Sequence, residues 1–90
     1  MATSTITSQV VKLFKISANS SLTFSTSYAL GVLVVMETNS NFVIKPFNEN
    51  AFGTGFGELT ANVTLTRTSS TSITIQNNRS WQIRAWYFSG

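Results

Sequence analysis

The stretch Tyr28-Ala29-Leu30-Gly31-Val32-Leu33-Val34-Val35-Met36 decides the fold. It carries no charge and is rich in β-branched side chains. In a strand, successive side chains point to opposite sides. Tyr28, Leu30, Val32, Val34 and Met36 then share one face, and Ala29, Gly31, Leu33 and Val35 the other. Both faces are apolar, so the stretch reads as a strand covered on both sides. A short apolar run also fits a buried helix, because periodicity does not separate the two. The β-branched content selects the strand, as do the turn formers on either side, Ser25-Thr26-Ser27 and Thr38-Asn39-Ser40-Asn41. The run is too short for a membrane helix, which needs roughly 20 apolar residues.

Downstream, Phe42-Val43-Ile44-Lys45 reads as the returning arm of a hairpin. Asn39-Ser40-Asn41 would close it, since Asn tolerates the left-handed backbone region. Pro46, the one proline, is expected to end the arm because it has no ladder donor. Upstream, Leu22-Thr23-Phe24-Ser25 alternates strictly and reads as a half-exposed strand with Leu22 and Phe24 inward. Before it, Ser17-Ala18-Asn19-Ser20-Ser21 is a turn by composition, and Ile6 to Ile16 reads as a long strand. Residues 1–5 read as a loose polar end.

The segment from Phe47 to Glu58 differs in character. Gly53, Gly55 and Gly57 alternate with Thr54 and Phe56, and Ala51 is its only aliphatic residue. It is expected to be a long connection, and such loops often carry function. Leu59 to Arg67 alternates again, with Leu59, Ala61, Val63, Leu65 and Arg67 on one face and hydroxyls or amides on the other. Ser72 to Gln76 returns with Ile73 and Ile75 inward. In the closing strand, Trp81, Ile83, Ala85 and Tyr87 are expected in the core, and Gln82, Arg84, Trp86 and Phe88 outside.

No segment of helical period appears. The pattern predicts an all-β chain: a compact antiparallel β-sandwich or a jelly-roll-like barrel of about six or seven short strands. Residues 1–90 make one domain. A chain this small buries only about 60–65% of its unfolded surface, so its core is marginal and association is a natural remedy.

Composition narrows the chemistry. With no cysteine and no histidine, the usual ligands of zinc and haem are missing, and no cofactor is expected. Catalysis lacks a tuned histidine, and the only carboxylates are Glu37, Glu49 and Glu58, so the chain reads as non-enzymatic. The glycines follow a G-x-G-x-G spacing with neither a following Lys-Ser/Thr pair nor a helix, which suits an irregular backbone better than a phosphate cradle. The net charge of +3 comes from six scattered cations, which argues against nucleic acid, although Arg84 beside Trp86 could stack on bases. Ser, Thr and Asn fill more than a third of the chain. The start Met1-Ala2-Thr3-Ser4-Thr5 has neither a basic n-region nor an apolar core, so synthesis in a cytoplasm is expected.

Two groups of residues are candidates for contact. Two aromatics and an arginine stand on the second face of the last strand, types enriched at interface centres. Gln82, Arg84, Trp86 and Phe88 are therefore expected to meet a symmetry mate. On the glycine loop, Asn48, Asn50, Phe52 and Phe56 are candidate ligand or glycan contacts, with rings for a pyranose face and amides for its hydroxyls. The alternative to self-assembly is thus a carbohydrate-binding module.

The segment from Leu65 to Trp86 combines a Ser/Thr hairpin, an Ile-x-Ile strand, an Asn-rich turn and a Trp-x-Ile strand. In this it resembles the compact β domains that end bacteriophage tail and fibre proteins. The resemblance implies a virion accessory role, commonly trimeric, among other virion proteins and sometimes bound to a host-surface glycan. The chain lacks a shaft, so a small tail, baseplate or head appendage fits better than a fibre.

Overall fold

A computed structural model describes residues 10–26 and 30–89. The expected loose end over residues 1–5, the strand start at residues 6–9 and Tyr28-Ala29 of the central stretch lie outside the described residues. Eight strands form: β1 (Val10–Ile16), β2 (Ser20–Ser25), β3 (Gly31–Met36), β4 (Phe42–Phe47), β5 (Phe56–Gly57), β6 (Val63–Ser69), β7 (Ser72–Asn77) and β8 (Ile83–Ser89). They make two antiparallel sheets, ordered β1-β8-β3-β4-β5 and β2-β7-β6. The all-β expectation holds, and the architecture is a sandwich.

The core is what alternation places between the sheets. Leu33 and Val35 of β3, Ile83, Ala85 and Tyr87 of β8, and Ile73 and Ile75 of β7 are all buried. Phe24 packs edge-on against Tyr87, and Tyr87 stacks beside Phe47. Offset and edge contacts of this kind add to the stabilisation that burial provides. The opposite face of β3 differs from expectation. Val32 and Val34 are half-buried, Met36 is exposed, and Leu30, just before the strand, is 70% exposed. The central strand is therefore covered on one side only within a single chain.

Several local features depart from the sequence reading, each for a physical reason. Pro46 does not end β4, which continues to Phe47. Its carbonyl accepts from Gly53 N at 2.8 Å, on the side away from β3. Its missing N–H would have pointed that way too, so the ladder with β3 loses nothing. The β3–β4 connection uses no left-handed asparagine: Asn19, in the β1–β2 turn, is the one non-glycine with positive φ among the described residues. Instead the Thr38 hydroxyl accepts from Ser40 N and Asn41 N.

The glycine segment is not wholly loop. Phe56-Gly57 pairs with Val43 and Ile44 as a fifth strand. The glycines explain how: a Cβ on Gly55 would lie 2.2 Å from the Ile44 carbonyl oxygen, and one on Gly57 would lie 2.1 Å from that of Phe42. Gly57 also has φ near +86°. The bare backbone lets this segment lie close along β4.

Candidate interaction surface

The registers align the outward residues of the larger sheet into rows. Leu13 pairs with Trp86, Trp86 with Val34, Val34 with Ile44, and Ile44 with Phe56. One apolar row therefore crosses all five strands. Beside it runs Val11–Phe88–Val32–Pro46, and on the other side Lys15–Arg84–Met36–Phe42. The only charges in this array are Lys15 and Arg84, which share one corner. Leu13 is 53% exposed, Ile44 41%, Phe56 65% and Phe88 37%. Phe56 is held near Phe42, with ring centroids 6.1 Å apart.

The smaller sheet presents the opposite chemistry. Thr23, Thr74 and Thr66 make one outward row, and Ser21, Gln76 and Thr64 another. The Thr74 hydroxyl bonds to those of Thr23 and Thr68. The molecule thus has one broad apolar face and one broad hydroxyl face. The hydroxyl face agrees with the wet side expected for β6.

The expected interface residues fall together. Arg84, Trp86 and Phe88 all lie on the apolar face, and Gln82 is exposed just before β8. The candidate glycan residues separate. Phe52 packs inward against Phe47, whereas Phe56 joins the outer apolar row. Asn48 Oδ1 accepts from Asn50 N and Ala51 N, which ties both asparagines into a turn. The four residues do not form one platform. Phe52 instead lines a cavity of about 350 Å³ between β4, β5 and β6, with Val43, Leu59, Val63 and Leu65 as apolar wall and Lys45 and Glu58 as its charges.

One cluster has no signature in the sequence pattern. The Glu37 carboxylate is fully buried and bonds the Arg79 guanidinium. It also accepts from Thr60 N at 2.9 Å and from the Thr60 hydroxyl. Arg79 lies over the Trp81 ring at 4.7 Å, and Trp81 Nε1 donates to the Glu37 carbonyl. Burial pushes the Glu37 pKa up, but the bonds from Thr60 and Arg79 outweigh it, and the carboxyl lies below the ordinary value of 4.5. Trp81, expected in the core, is 43% exposed because it serves as a lid on this ion pair. Leu59 to Asn62, expected in β6, is held out of the strand where Thr60 binds Glu37. Asn77 completes the end of the sandwich: its amide donates to the carbonyls of Ile16, Ser17 and Trp81. These groups are fully engaged in joining loops, so they read as structural.

No group of three or more metal-ligating side chains clusters among the described residues, and among them no helix is long and apolar enough to cross a membrane. Comparison with protein-family models, with curated proteins and with solved structures found no match.

Proposed function

We propose that this chain is a non-enzymatic structural component that assembles with copies of itself through the outer face of its five-stranded sheet. The row Leu13–Trp86–Val34–Ile44–Phe56 carries the reading. Isolated exposed apolar residues are ordinary, but an unbroken row across a whole sheet marks a contact surface. The hydroxyl face and the low charge suit a rigid building block better than a catalyst. The resemblance of the segment from Leu65 to Trp86 supports a place in a bacteriophage tail, baseplate or head appendage, with other virion proteins as neighbours and a host-surface glycan as a further contact.

Sedimentation velocity at micromolar concentration tests the reading. The expected result is a mass of more than one chain, reduced to one by Trp86→Ser with the strand signal in circular dichroism unchanged. A wild-type protein that sediments as a single chain throughout that range overturns it.

A further inference from the structure

The apolar face carries enough geometry to specify how a second copy meets it. We infer that two copies pair face to face about a twofold axis parallel to the strands and passing over β3, so that Val34 faces Val34. This rests on the self-assembly reading and names its partner and mode.

Three observations carry the inference. The first is area. The exposed fractions of Val11, Leu13, Met36, Ile44, Phe56 and Phe88 leave roughly 500 Å² of apolar surface, taking about 150–200 Å² for a large side chain. The half-buried Trp86, Val34, Val32 and Phe42 add to it, bringing the face toward the ~800 Å² per partner of a standard interface. One flat partner covers such a face.

The second is strand order. In β1-β8-β3-β4-β5 the middle strand is β3. A twofold axis over β3 sets β8 against the partner's β4 and β1 against the partner's β5. Trp86 then meets Ile44, and Leu13 meets Phe56, so every apolar column finds an apolar column. Sheets that pack with strands nearly aligned do so at about 10 Å, the distance that such interdigitating side chains fill.

The third is charge. Lys15 and Arg84 sit at the corner where β1 and β8 carry their top row, and neither has an acidic partner among the described residues. Gly57 pairs with Val43, one step short of Phe42, and ends β5; Glu58, exposed, follows it at the sheet margin level with that row. The axis along the strands brings Lys15 of one copy to the end of the partner's β5, where exposed Glu58 stands at the rim between the outer face and the cavity, twice per pair, and sets Arg84 over Phe42, a favourable cation–aromatic contact. An axis across the strands would press Lys15 onto Val11, burying a charge against hydrocarbon. The charge pattern therefore selects the first axis.

A charge swap tests this. Lys15→Glu sets two acids against each other at both ends of the pair and is expected to weaken the dimer roughly tenfold; Glu58→Lys is expected to do the same. The double variant Lys15→Glu/Glu58→Lys restores the crossed pairs and is expected to return the dimer to near wild-type affinity by sedimentation equilibrium. A wild-type trimer, or a dimer whose double variant is no tighter than either single variant, overturns this arrangement while leaving self-assembly in place. A wild-type monomer overturns both.

Discussion

Arg79 binds the buried carboxylate of Glu37 across 42 residues of sequence, joining the end of β3 to the β7–β8 turn. The pair is a bolt at one end of the sandwich. Glu37 is fully buried while Arg79 is 24% exposed, so the arginine carries the charge out toward water and Trp81 shields it. Removing the arginine leaves a buried anion with Thr60 alone. Arg79→Ala is expected to cost about 3–5 kcal/mol, at the scale of a broken buried pair. Urea unfolding checks it.

The same carboxylate sets a pH dependence. Its pKa is lower in the folded chain than the ordinary 4.5, so the folded state favours the ionised form. The stabilisation is fully present above that ordinary value and is lost as pH falls through the folded pKa. Unfolding free energy should decline as pH drops below about 4.5. Glu37→Gln should be less stable at neutral pH and show a flatter acid limb. Denaturation curves taken through this range measure both slopes.

Asn77 holds three carbonyls of two turns from a fully buried position, and its own carbonyl oxygen accepts from Arg79 N. Asn77→Ala leaves those groups without their donor. Each unsatisfied buried group costs about 1–3 kcal/mol, and they act together, so a loss of about 2–4 kcal/mol is expected. Asn77→Asp should not rescue it, because a carboxylate offers no hydrogens to carbonyls. Thermal melts of the two variants beside wild type decide this.

Tyr87 gives the opposite prediction. Its ring is wholly buried between Phe24 and Phe47, yet its hydroxyl has no hydrogen-bond partner among the described residues. An unpaired buried hydroxyl is a cost, so Tyr87→Phe is expected to be neutral or to stabilise by up to about 1 kcal/mol. A marked loss of stability in the same melts would show that the hydroxyl is engaged.

Gly55→Ala tests how β5 is held. The new Cβ would strike the Ile44 carbonyl oxygen and the Lys45 main chain. The expected result is release of the Phe56-Gly57 pairing with a global cost of about 1–3 kcal/mol. Hydrogen exchange should speed up locally in β4 and β5 and stay slow in β8.

What was legible in the sequence was the alternation. The residues of β8 fell on the two faces as their order required, and Leu33 and Val35 sank into the core. Alternation failed where a distant side chain redirected the backbone. Thr60 follows the strand pattern, but its bonds to Glu37 bend the chain away, and no local signal marks a partner 23 residues off. Trp81 continues the alternation of β8 yet lies outside the strand for the same reason: Glu37 and Arg79 claim it. The fifth strand did leave a trace, in glycines two apart, which is strand spacing. The apolar outer face could be sensed from Trp86 and Phe88, but its full extent needed the register, since its rows are assembled from strands scattered along the chain.

The threonine-faced sheet bears on what the proposed pairing would leave exposed. In a pair joined as inferred above, both outer skins would be uncharged hydroxyls and amides, with Thr74 already bonded to Thr23 and Thr68. Such a skin would offer little reason for a third molecule to stack, so growth by the proposed route would be self-limiting rather than filament-forming. Any larger shell or ring built from the pair would have to be joined at its rims.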